Sequence, residues 1–200
     1  RTHYPQTLEH EIEIMEAERH EMGDVGVSST MPPFMKEIVA EFTNLARRSA
    51  DVNQRSGVSV RVSIGNYETV ASNAVRRSIR LKEKDAAPRI SDFGYIVTST
   101  SGKIEMESVD EGREPRVIED LSKRAVLNIF NKYFNVHEFD DSIRRFDEGL
   151  TIETGDMVAS KTYQGWAKDL PALSDAVKRL SVGRTASAAA SAVEFVLEGL

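Results

Sequence analysis

Apolar side chains along this chain recur mostly every three or four positions, the spacing of a buried helix face rather than the alternation of a half-buried strand. The first run, Gln6 to Arg19, puts Leu8, Ile12 and Met15 on one side; Gly23, Gly26 and the Ser28-Ser29-Thr30 cluster end it. A second helix is predicted from Pro32-Pro33, where proline is tolerated because first-turn N–H groups lack intrahelical partners. Its stripe is Phe34, Ile38, Phe42 and Leu45, with Met35, Val39 and Ala46 beside it, wide enough to bury against other helices. A small, polar loop from Ser49 to Gly57 leads to Ser59, the predicted N-cap of a long third helix ending near Leu81. Val60, Ile64, Tyr67, Ala71 and Ala74 form its expected apolar face.

Lys82 to Pro88 reads as a charged connector, and Ser91 as the cap of a short helix through Ile96 and Val97 that Gly102 closes. The acidic stretch Glu105 to Pro115, with Gly112, is the best boundary. An amphipathic helix from Val117 to Phe134 follows, with Leu121, Ala125, Ile129 and Tyr133 on one face and Val126, Phe130 and Phe134 next to it. Further helices are predicted over Phe139 to Glu148, Met157 to Trp166, Leu173 to Leu180 and Thr185 to Leu200. Leu150 to Glu153 alternates like a strand, but four residues alone make no sheet. The expected architecture is all-α: residues 1–105 as one helical bundle and residues 114–200 as a helical extension packed on it.

Composition narrows the chemistry. With no cysteine, disulfides, thiolate metal sites and cysteine nucleophiles are excluded. An apolar fraction of 40% and a charged fraction of 29% suit a soluble globular chain. The net charge of -6 argues against a nucleic-acid binder. The pairs Arg47-Arg48, Arg76-Arg77 and Arg144-Arg145 read as solvated helix faces. No apolar run approaches the roughly 20 residues of a membrane span. The absence of cysteine fits a reducing cytoplasm, the expected setting; no leader pattern follows Arg1, and Arg1-Thr2-His3-Tyr4-Pro5 reads as a cut inside a longer protein.

Most candidate motifs fail on spacing. Gly102-Lys103 has Val97 where a phosphate loop needs glycine and Ile104 where it needs Ser or Thr. Asp147-Glu148 ends a helical pattern, not the apolar strand that a magnesium-binding acidic pair requires. His3, His10, His20 and His137 lack metal-ligand spacing and are expected in solvent; no nucleophile elbow is present. The segment Asn53 to Arg61 is different. Arg61 falls in the first turn of the third helix, where the macrodipole makes a cation locally unfavourable and backbone N–H groups favour an anion. The plainer reading is a solvated or ion-paired arginine.

Gly57-Val58-Ser59-Val60-Arg61 resembles the Gly-x-Ser-x-Arg turn in the helical lid of AAA+ ATPases of the MoxR and magnesium-chelatase type. Arg1 to Pro5, Pro88 to Phe93 and Ala192 to Leu200 resemble flanking segments of the same family. Val60 stands where many MoxR proteins have proline, which points to the chelatase-like branch. The resemblance implies that Arg61 is the sensor-2 arginine, reaching the γ-phosphate of Mg-ATP held by an ATPase core outside this chain. It also implies a homo-oligomeric ring and a partner protein, commonly one with a von Willebrand A domain, with no nucleic acid and no membrane. Phosphate loop, Mg²⁺-binding acids and arginine finger lie upstream in that family, so this stretch alone is expected to be inactive. Two other readings compete: a helical interaction module without a nucleotide role, and a helix-turn-helix regulator reading DNA through Arg76, Arg77 and Arg80.

Overall fold

Helices dominate the computed structural model, which describes residues 3–20, 23, 25–108 and 112–200. Arg1 and Thr2 of the resembling Arg1–Pro5 segment, and residues 109–111 of the boundary stretch, lie outside the described residues. α1 (Leu8–Glu18) is capped by Thr7, whose hydroxyl accepts from the His10 N–H, and it buries Met15. α2 (Pro33–Arg48) begins on the expected proline and buries Phe34, Met35, Ile38, Val39 and Phe42. Its partners are α6 (Arg113–Tyr133) and α10 (Ala186–Gly199). Phe34 of α2 stacks on Phe195 of α10 with ring centroids 4.5 Å apart, and Phe130 of α6 meets Phe195 edge-on at 6.2 Å. One apolar cluster therefore runs from Met15 through α2 and α6 to Val196. α8 (Ser160–Asp169) and α9 (Pro171–Arg179) pack on α10, while α7 (Asp140–Asp147) follows a 3₁₀ turn at Val136–Phe139.

The structure departs from the sequence reading in specific places. The chain is not wholly helical: Ser28–Ser29 (β1) pairs in parallel with Asp85–Ala86 (β2), inside stretches read as breaker and connector. Too short to show periodicity, this bridge ties the two connectors together. The short helix expected after Ser91 is two, α4 (Ile90–Phe93) and α5 (Ile96–Thr100), and the residue at the α4 cap is Arg89, whose N–H donates to Asp92 at 2.9 Å. α6 starts at Arg113, so Pro115 lies in its first turn, where a missing N–H costs nothing. α8 starts at Ser160 rather than near Met157, because Gly155 takes a φ of +128° and the preceding loop turns there. Residues 150–153 form no strand, although Leu150 and Ile152 pack against the core.

The third helix, α3 (Arg61–Arg80), buries Tyr67, Ala71 and Ala74 of its expected face but differs at its other positions. Val60 and Ile64 are half-buried, whereas Val62, Ser63, Asn66, Val70, Ala74 and Arg77 line the buried side. Hydrophobicity could not show this, because four of the ten buried positions of this helix are Ser63, Asn66, Arg77 and Ser78. Each meets a polar partner: Ser63 donates to the Thr43 hydroxyl at 2.8 Å, Asn66 Oδ1 accepts from Ser99 and Thr100, Arg77 pairs with Asp92 at 2.8 Å, and Ser78 donates to the Asp85 carbonyl.

Polar contacts also fasten the last eighty residues to the first hundred. Ser191 of α10 donates to the Pro88 carbonyl, Ser187 bonds Asp85, and the Ser91 N–H donates to Glu194 at 2.9 Å. Connector 83–92 is thus held along α10. Its other neighbour is α3, whose opposite end carries the candidate site.

Candidate functional site

Loop 49–57 is shaped before α3 begins. The Asn53 N–H donates to the Glu105 carbonyl at 2.8 Å and the Glu107 N–H to the Asp51 carbonyl at 2.9 Å, flanking an antiparallel bridge between Val52 and Met106. Asn53 Oδ1 then accepts from the Arg55 N–H at 2.9 Å, closing an Asx turn, and the Gly57 N–H donates to the Asn53 carbonyl at 3.2 Å. Gly57 has φ +67°, a backbone conformation that favours glycine, and a Cβ there would run into the hydroxyl of the half-exposed Tyr4, which would have to shift.

Val58 is buried, Ser59 is exposed, and Val60, already in a helical conformation, holds the cap position expected for Ser59. Ser59 still serves the helix end: its Oγ accepts from the Arg61 N–H at 3.2 Å and its carbonyl from the Val62 N–H at 3.0 Å. Arg61 is the first helical residue and is exposed, and its guanidinium has no hydrogen-bond or ion-pair partner among the described residues. No acidic residue occupies the first turn of this 20-residue helix. The unfavourable placement inferred from sequence is therefore real and is not relieved internally.

An open cavity of about 710 Å³ adjoins the turn, walled by Ser56, Gly57, Ser59 and Val60 on one side, Gly102 to Glu105 on the other, and His3 to Pro5 at the rim. Arg61 follows the last wall residue and does not itself line the cavity. Lys103, from the rejected Gly102-Lys103 motif, sits on a turn rather than a phosphate loop; its Nζ would lie 2.6 Å from a Cβ placed on Gly65. Gly65 therefore lets the lysine lie across α3 one turn after Arg61. Glu105 forms part of the same wall and bonds Ser56, so the cavity is of mixed charge.

The remaining candidates take ordinary roles. All four histidines are exposed, and no group of three metal-ligating side chains occurs among the described residues. Arg55 is exposed. The arginines of the possible recognition helix are turned inward or engaged: Arg77 is buried on Asp92, Arg80 pairs with Asp156 at 3.0 Å, and Arg76 stacks 4.8 Å above the Tyr95 ring. Among the described residues no helix is long and apolar enough to cross a membrane.

Sequence reasoning missed what stands behind the turn. Arg47 of α2 reaches the Val58 carbonyl through Nε at 3.0 Å and Glu11 of α1 through Nη1 at 2.7 Å. A signal was present: Glu11 is three residues from Leu8 and four from Met15, a carboxylate on the apolar face of α1. A charge at such a position is expected to be paired.

Comparison with known proteins identifies no relative: no family model, no curated protein and no solved structure matches the chain.

Proposed function

We propose that this chain is the helical lid region of a Mg-ATP-dependent remodelling ATPase of the MoxR or magnesium-chelatase type, and that Arg61 is its γ-phosphate sensor. The observation that supports it is the state of Arg61: an exposed guanidinium, without an internal partner, at the positive end of a 20-residue helix, on a turn whose backbone favours glycine at Gly57. A cation in that place is useful where a phosphate or similar anion approaches, because its planar donors and the helix N-terminus then act on the same charge. The described residues include no cluster of three metal-ligating side chains and no phosphate loop. In this reading ATP and Mg²⁺ are held by the ATPase core of the same protein, and the chain supplies a guanidinium when lid and core close. Rotation of the lid against that core couples phosphate loss to movement of a partner, such as a von Willebrand A domain protein, within a cytoplasmic ring.

ATP turnover by the full-length protein that carries this chain tests the assignment. Arg61→Ala should lower it by roughly 10- to 10³-fold, because a positioned cation is lost from developing phosphoryl charge. Arg61→Lys should recover part of the loss, since it keeps charge but not the two-pronged geometry. Arg55→Ala, in the same loop, should lose less. Wild-type turnover by Arg61→Ala, or loss explained by unfolding, would refute the sensor role.

A further inference from the structure

Arg47 and Glu11 are a nearly buried ion pair whose side chains are only 11% and 2% exposed. The contact is two-pronged, Nη1 to Oε2 at 2.7 Å and Nη2 to Oε1 at 3.0 Å, which leaves Nε free to donate to the Val58 carbonyl at 3.0 Å. Glu11 also bonds the hydroxyl of Ser63. Residues 58 and 63 bracket Arg61, so a single ion pair grips the chain on both sides of it, through the Val58 carbonyl and the Ser63 hydroxyl. The face of the guanidinium is engaged as well: its central carbon lies 4.7 Å above the Tyr4 ring. The hydroxyl of that same Tyr4 fills the space that a Cβ on Gly57 would need.

A buried ion pair is a poor way merely to join helices, because well-packed apolar residues of similar volume do so equally well or better. What the pair adds is direction. A guanidinium fixes three acceptors in one plane and offers that plane to an aromatic ring, which neither a lysine nor an apolar side chain can do. Here the guanidinium of α2 gathers its acceptors and ring from three other elements: α1, the turn before α3, and the segment leading into α1.

We propose that Arg47 is a positioning residue. Clamped between Glu11, the Val58 carbonyl and Tyr4, it sets the direction in which Arg61 leaves the first turn of α3 and makes residues 3–7 move with that turn. The consequence for phosphate contact rests on the sensor reading of Arg61; the ordering of the turn does not.

The chain itself tests the ordering. Arg47→Lys and the volume-conserving double variant Glu11→Leu/Arg47→Met are compared with wild type by native-state hydrogen exchange and thermal melting. Both should stay folded, with amides in α6 and α10 exchanging at wild-type rates. The hydrogen-bonded amides of Gly57, Arg61 and Val62 should exchange about tenfold faster, as in a local opening that leaves the global fold intact. Wild-type protection of those three amides in both variants would overturn the positioning role. In the full-length ATPase, Arg47→Lys should lower kcat with little change in the KM for ATP. If Arg61→Ala lowers turnover and Arg47→Lys does not, the sensor assignment stands and the positioning role falls. If Arg61→Ala has no effect, the sensor assignment falls and the exchange result alone decides the clamp.

Discussion

Arg89 donates to the hydroxyl of Ser160 at 2.7 Å, and both residues are buried. The contact spans 71 positions and joins the connector after α3 to the first turn of α8. It is one part of a seam. Arg89 Nη1 donates to the Val158 carbonyl at 2.8 Å, its guanidinium lies 4.5 Å from the centre of the Tyr163 ring, and Glu83 accepts from both the N–H and the hydroxyl of Ser160. A fully buried arginine that answers backbone carbonyls of an irregular loop gives residues 155–160 their path.

Arg89→Ala should therefore destabilise by about 3 kcal/mol or more, because the Ser160 hydroxyl and the Gly155 and Val158 carbonyls lose a charged donor in a dry setting. Arg89→Lys should restore little, since one ammonium cannot reach all three acceptors. Lys123→Ala is the contrast: its pair with Glu119 is solvent-exposed on α6, and the change should stay within about ±0.5 kcal/mol. Urea unfolding of the three variants measures the difference. Equal effects would mean that the seam contributes nothing special.

Phe42 and Phe130 are both fully buried, and each packs edge-on or tilted against another phenylalanine. Truncation of either to Ala should cost roughly 3–5 kcal/mol, the usual range for a buried aromatic. Gly199→Ala is a finer probe at the same place. A Cβ on Gly199 would fall inside contact distance of the Phe130 ring, so the small substitution should destabilise by about 1–3 kcal/mol instead of raising helix propensity. A higher melting temperature for Gly199→Ala would show that the ring moves aside without cost.

Glu194 supplies a pH test. Burial raises its pKa above the usual carboxylate range, against the lowering effects of the Ser91 hydrogen bonds and of Arg89. A carboxyl with a raised native pKa favours the folded state while protonated. That contribution is complete below the unfolded pKa and is lost as pH rises through the native one. Glu194→Gln keeps an acceptor for the Ser91 N–H and carries no charge at any pH. The variant should thus gain stability relative to wild type as pH rises through the range above the unfolded carboxyl value of about 4. Urea unfolding at several pH values checks it, and a constant difference would show that Glu194 does not titrate within that range. Tyr163, which donates to Glu194, is itself pushed up to about 12 and stays neutral throughout.

Gly57→Ala combines a left-handed backbone position with a collision against Tyr4. The conformational strain alone is worth about 1–2 kcal/mol. The Tyr4→Ala/Gly57→Ala double variant removes the collision and keeps the strain, so it should recover only part of the loss. Full recovery in a melting experiment would assign the whole cost to the tyrosine.

What the sequence determined by itself is the helical content and the aromatic core, because periodicity reports which side of a helix is apolar. Phe34, Ile38, Phe42, Leu121, Ile129 and Phe130 were legible in this way and are buried. Arg61 at the start of α3 was legible too, since its place follows from local turn chemistry. Only the tertiary structure decided the rest. The true face of α3 includes Ser63, Asn66 and Arg77, each of which meets a polar partner distant in sequence. The same holds for Arg47 with Glu11 and for Arg89 with Ser160, separated by 36 and 71 positions. A charged side chain carries no mark of where its partner will come from. The cost of desolvating it is offset only once the fold has brought the two together.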